Sequence, residues 1–230
     1  ATNSIFTLNQ ATNLNGLTSA TNSIFTLAAL PTLPNLSNID GTSIEVRTNV
    51  SLSLPLVTTY TNSSSINEQF RYLRATGAGS VLSLPNVTAI TNGTAYGTNL
   101  DIQALLGGRV ELPMVATIID PATGDQRYRA IRVKADGAGS LVNLPALTQF
   151  TDNNALPSDN GGYGRLSDLE VSNAGTINAP ALTTLIGVEV TIGTTGTLPT
   201  AQFATATNSI FTLNQATNLN GLTSATNSIF

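Results

Sequence analysis

Apolar residues recur at every second position in short runs along the chain: Ile44 and Val46, Leu73 and Ala75, Leu100 and Ile102, Ile131 and Val133, Leu169 and Val171, Val188 and Val190. Alternation with period two predicts strands that bury one face and leave the other in solvent. Each run is followed by a small-residue stretch, Gly-Ala-Gly-Ser in the two clearest cases, and then by a second apolar run. In that second run Leu84, Val87 and Ile90 correspond to Leu144, Leu147 and Phe150. Glycine permits positive φ, so the small-residue stretch predicts a sharp corner. The second run carries a proline, at Pro34, Pro55, Pro85, Pro113, Pro145, Pro180 and Pro199, spaced 19 to 35 residues apart. Proline has no N–H to give to a stacked strand, which assigns these positions to strand ends or corners.

The same unit therefore returns along the chain. Its best copies are RYLRATGAGSVLSLPNVTAIT from Arg71, IRVKADGAGSLVNLPALTQFT from Ile131 and LEVSNAGTINAPALTTLIG from Leu169, with looser copies from Ile44 and Leu100. A larger period is superimposed. Residues 1–25 recur without change as residues 206–230, an offset of 205, and the octet ATNSIFTL at Ala1 returns at Ala20, an offset of 19. In this segment LNQATNL reads as the second run, with Asn9 and Asn214 where proline would stand. One 205-residue period then holds about eight coils, and residues 206–230 read as the start of the next period. Short strands of this kind cannot bury an apolar face alone, whereas stacked coils share a continuous core. The fold class predicted is all-β, a parallel β-helix or β-solenoid.

Over roughly residues 32–200 the Leu-Pro runs resemble the LPxLTxI-type β-helix repeats of large bacterial cell-surface proteins of planctomycetes and cyanobacteria. The resemblance implies a right-handed parallel helix and a role at the cell surface.

Composition narrows the chemistry. Charged residues make up 10% of the chain and hydrophobic residues 41%, with a net charge of −4 and a single lysine, Lys134. An acidic chain with so few cations is not built to bind nucleic acid. With no cysteine and no histidine there is no disulfide, no thiolate nucleophile and no imidazole for metal binding or proton transfer. The acidic residues scatter along the predicted axis rather than grouping as in a glycosidase. The chain reads as no enzyme, with no cofactor and no membrane-inserted run. The first residue, Ala1, reads as that of a mature chain or of a piece of a longer one.

Insertions fall at one place in the repeat, after the Leu-Pro run, starting at Thr61, Thr91, Asp120 and Thr151. They predict loops that leave the solenoid on one side. Tyr60, Tyr96, Tyr128 and Tyr163 lie in or beside them, with Arg127, Arg129 and Arg165. This set is either an aromatic and cationic face for glycans or for a neighbouring fibre, or a cover for the loops' own apolar stems. In the fourth loop Asp152 and Asp159 are a weak calcium candidate, without the spacing of an EF-hand, and the residues read first as ordinary Asx turns. On the exposed face of the first strands the order Glu45, Tyr72, Asp101, Arg132, Glu170, Glu189 predicts a charge ladder with Arg132 between Asp101 and Glu170.

Two functions fit these features. The first is a self-associating extracellular fibre or surface-filament homopolymer, in which identical period ends continue one solenoid into the next by end-to-end and lateral contact. The second is an adhesin stalk whose loop face binds glycans. An engineered duplication of the ends gives the same sequence.

Overall fold

The computed structural model describes residues 1–62, 66–153 and 166–230. All its regular structure is β, with no helix among the described residues. The strands form three sheets of nine, five and seven strands, and every pairing is parallel. The chain visits the sheets in turn. After Phe70–Thr76 in the first sheet come Val81–Ser83 in the second and Ala89–Thr91 in the third, and then Asn99–Leu105 returns to the first, beside Phe70–Thr76. This is the parallel β-solenoid that the repeat predicts.

The first sheet runs Ile5–Leu8, Ile24–Leu27, Ser43–Arg47, Phe70–Thr76, Asn99–Leu105, Ala130–Asp136, Ser167–Ser172, Val188–Ile192 and Ile210–Leu213, in chain order across the sheet. Its register sets coil length, which ranges from 19 residues between Phe6 and Phe25 to 36 between Val133 and Leu169. Eight such steps separate Ile5–Leu8 from Ile210–Leu213, so the 205-residue offset corresponds to eight coils.

The core is a set of columns along the axis. Phe25, Ile44, Leu73, Ile102, Val133, Leu169, Val190 and Phe211 stack in one column of the first sheet, and Leu52, Leu82, Val110, Val142 and Ile177 in the second. All are buried. Leu84, Val87, Leu112, Val115, Leu144, Leu147 and Leu182, assigned to the interior by their spacing, are each 0% exposed.

The Leu-Pro motif is a four-residue turn. The N–H of Val87 donates to Leu84 O at 3.4 Å, and the same bond joins Val57 to Leu54, Val115 to Leu112 and Leu147 to Leu144. Proline stands second in each turn, where its fixed φ is favourable and its missing N–H leaves no donor unpaired. Two details differ from the sequence reading. In the first coil the matching turn is Leu14-Asn15-Gly16-Leu17, closed by Leu17 N–H to Leu14 O at 2.9 Å. Asn15 and Asn220 therefore take the proline position, not Asn9 and Asn214, because Asn-Gly is itself a strong turn former. Pro199 stands one residue ahead of its turn, which is closed by Phe203 N–H to Thr200 O. The glycine corners behave as predicted, with Gly79 and Gly139 at φ of 76° and 80°.

The charge ladder is shifted by one step. Arg132 lies between Asp101 and Asp168, while Glu170 pairs with Lys134 and Glu45 with Arg74. The long strands Asn99–Leu105 and Ala130–Asp136 place three residues inward, the last being Ala104 and Ala135. Matching each strand by its first apolar pair therefore slips the register by two residues at these strands and at Val188–Ile192, while Leu169 stays in the column of Leu73.

Candidate functional site

The third-to-first corner decides where side chains can reach solvent. Each successive coil places one short polar residue or glycine there, and each donates its N–H to the coil above: Asn3, Asn22, Gly41, Asn62 and Asn92 give to Thr21 O, Asp40 O, Thr61 O, Thr91 O and Ile119 O. In coils without an insertion this residue turns directly into the next strand in the left-handed region, with φ of 49° at Asn22 and 51° at Asn208. Asparagine tolerates that conformation better than other residues with a Cβ. In coils with an insertion the residue points inward instead and is buried: Asn62, Asn92, Asp120 and Asp152.

These four hold the bases of the loops. Asn62 Nδ2 donates to Asn92 Oδ1 at 2.9 Å and to Asn99 O at 3.2 Å, and Asn92 Nδ2 donates to Asp120 Oδ2 at 2.8 Å. Asp152 Oδ2 accepts from the N–H and the hydroxyl of Ser167 at 3.0 and 2.8 Å. Asp152 is thus a buried loop anchor, and Asp159, the other calcium candidate, lies outside the described residues. No group of three or more potential metal-ligating side chains occurs among the described residues.

Two members of the sequence-assigned binding set are also interior. Tyr60 is 0% exposed and stacks on Ile90 in the third sheet, with its hydroxyl donating to Thr42 O at 3.1 Å. Burial holds its ionisation well above the usual tyrosine range. Arg129 forms an ion pair with Asp120 at 2.9 Å, both side chains being 0% exposed, and it also donates to Thr123 O and Pro121 O. It compensates the acidic corner column. A tyrosine at a strand end and an arginine one residue before a strand fall on inward positions, which their place beside a loop conceals. Tyr163 and Arg165 lie outside the described residues.

Tyr96, Tyr128 and Arg127 do come together at the surface. The two rings meet edge to face, with centroids 5.5 Å apart and planes at 80°. The Arg127 guanidinium lies over Tyr96 at 5.1 Å and also pairs with Asp125 at 2.6 Å. The Arg127 hydrogen bond holds the Asp125 carboxyl down at about 2. Glu68, Phe70, Gly97 and Asn99 complete the walls of a cleft of about 320 Å³ beside these rings. Phe70, 55% exposed, escaped the sequence reading although period two puts it on the outward face with Tyr72.

A second surface is the outer face of the first sheet, where Arg74, Asp101, Arg132, Lys134 and Glu170 form a charged lattice. Arg132 reaches Asp101 at 3.1 Å, Lys134 reaches Glu170 at 2.9 Å, and Arg74 packs over the Tyr72 ring at 4.7 Å. Asp168, partly buried beside Arg132, has its carboxyl pushed up to about 7, chiefly by burial and further by Glu170, Glu189 and Asp101.

The third surface is the pair of end coils. Phe6 stacks on Phe25 at 4.4 Å and 11°, and Phe211 on Phe230 at 4.8 Å and 7°. The 19-residue contacts match in detail: Ser4 N–H donates to Ser23 Oγ at 3.1 Å and Ser209 N–H to Ser228 Oγ at 3.2 Å. Comparison with family models, with curated proteins and with solved structures finds no match.

Proposed function

We propose that the chain is a non-enzymatic structural element of an extracellular or cell-surface filament, built from tandem solenoid periods continued end to end. The observation that carries this reading is that the repeated octets stack on one another in register, Ile5–Leu8 on Ile24–Leu27 and Ile210 on Ile229, with Phe6 over Phe25 and Phe211 over Phe230. Open strands with apolar side chains are sites of strand addition unless something blocks them. Here no charged residue lies in residues 1–25 or 206–230 to oppose it.

The identical octets also provide the partner. Ala1–Leu8 already stacks on Ala20–Leu27 with Phe on Phe and Thr on Thr, so an octet laid against residues 225–230 meets its own sequence in the register used twice within the chain. In covalent continuation of a longer chain the octet at 225–230 is followed by a strand of the Ser43–Arg47 type, as Phe25 is by Ile44, whereas docking of separate chains lays a further octet on it. An extracellular setting agrees with the neutral Thr, Asn and Ser surface, the absence of cysteine and the resemblance to bacterial surface repeats.

Electron microscopy and fibre diffraction test the proposal. In a continuous chain eight coils at about 4.8 Å each give an axial repeat of about 38 Å, or slightly more with tilt, whereas docked 230-residue chains, ten coils each, give about 48 Å. Fibres with one of these repeats are the expected result. Isolated rods at high concentration, with no axial order, would count against it.

A further inference from the structure

The cleft beside Tyr96 and Tyr128 has the features of a ligand site rather than of a loop covering its own stem. Three residues stacked on successive coils, Glu68, Gly97 and Tyr128, have φ of 58°, 64° and 59°. Backbone bonds fix the stack, with Glu68 N–H donating to Tyr96 O at 2.7 Å and Gly97 N–H to Arg127 O at 2.9 Å. Left-handed φ recurs at the corners of the solenoid, as at Thr48, Leu106 and Asn173, and at this corner it belongs to Tyr128, a residue of the cleft wall. Between Glu68 and Tyr128 the column has only a glycine. A Cβ on Gly97 would lie 3.3 Å from Glu68 Cγ, so the slot depends on this position having no side chain.

The polar lining is one-sided. Asn99 is 2% exposed and lines the cleft, with its Nδ2 donating to Gly97 O at 2.7 Å and Tyr128 O at 3.1 Å. Its Oδ1 is shut away from solvent and so lies out of a ligand's reach. The exposed Glu68 carboxylate is therefore the acceptor that the cleft offers beside the aromatic faces of Phe70 and Tyr128. Its occupant must supply hydrogen-bond donors and an apolar face. Arg127 already supplies a cation to Tyr96, and about 320 Å³ is more than an alkylammonium head group fills, but suits one ring-sized unit.

We infer that this cleft binds a neutral saccharide unit, whose C–H face packs on Tyr128 and Phe70 while a hydroxyl donates to the Glu68 carboxylate. The site lies at the side of the solenoid and does not depend on end-to-end association. Saturation-transfer NMR on the 230-residue chain tests it, with methyl glucoside, methyl galactoside and the methyl glycoside of N-acetylglucosamine as probes, and tetramethylammonium as the competing chemistry. At least one glycoside should bind. Tyr128→Phe should retain binding, whereas Tyr128→Asn, which keeps a residue tolerant of the left-handed backbone, should weaken it by about tenfold or more at unchanged β signal and melting temperature. Phe70→Ala should weaken it in the same direction. The inference is overturned if no glycoside binds at millimolar concentration, if tetramethylammonium binds in their place, or if glycoside binding survives Tyr128→Asn.

Discussion

Asp120 stacks directly on Asp152 in the third sheet, two buried carboxylates on adjacent coils with the Arg129 guanidinium 2.9 Å from the first. Removing the cation from such a site leaves an uncompensated buried charge, which costs about 3–5 kcal/mol. Arg129→Met should therefore lower unfolding stability by about that amount in guanidinium titration. Combining it with Asp120→Asn should recover most of the loss, because Asn62 and Asn92 occupy the same column as neutral residues. A single Arg129→Met variant as stable as the parent would show that Arg129 does not balance the column.

The Asp168 carboxyl, held at about 7, gives the protein an unusual pH response. Its folded value lies above the unfolded value of about 3.9, so the folded state binds the proton more tightly. This contribution to stability is fully present below the unfolded value and is lost as pH rises through about 7. The urea midpoint should rise as pH falls from 8 to 5, and Asp168→Asn should flatten that slope and raise stability at pH 8. A slope unchanged by the substitution would mean that another group titrates.

At the short corners Asn22 and Asn208 hold φ of 49° and 51°. Replacement of either by alanine should cost about 1–2 kcal/mol, whereas replacement by glycine should be near neutral, since glycine enters this region freely. Thermal melts of the four single variants make the comparison. Equal loss for alanine and glycine would place the effect in the side chain and not in the backbone.

Ile5 and Ile229, exposed at opposite ends of the stack, are the points at which association can be blocked. Lysine at both positions should suppress fibre growth in light scattering, by bringing like charges together between end strands, without changing the circular dichroism of the monomer. Association that persists would assign it to the sides of the solenoid.

The repeat and its interior were legible because they depend on spacing alone: Leu84, Val87, Leu144 and Leu147 sit where the alternation puts them. The register of the strands with three inward apolar residues was harder to read. A strand aligned by Leu100 and Ile102 differs by two residues from one aligned by Ile102 and Ala104, and alanine carries too little hydrophobic signal to decide. The corner column was present as Thr-Asn at Thr61 and Thr91 and Thr-Asp at Thr151, but these dipeptides also form ordinary turns. Their inward orientation comes from the unpaired backbone groups of each loop, which the sequence does not display. For the same reason Arg129 reads as a surface cation, though it is an internal counter-ion, and Asn99, which lines a cleft, went unremarked.

The terminal coils differ from the middle of the stack in what holds them. The central coils are tied by ion pairs such as Lys134–Glu170 and by the Asn62–Asn92–Asp120 chain, while the 19-residue end coils rely on backbone bonds, hydroxyls and stacked phenylalanine. Under tension along the axis, load falls on the coils one at a time, and the weakest peel first. Each short coil that detaches releases about 65 Å of extended chain. Because the octets occur as one adjacent pair in every 205 residues, a freed octet has its own partner beside it to settle on again. Such a filament would lengthen and recover in fixed increments under pull, with its charged central segments acting as rigid rods between extensible joints.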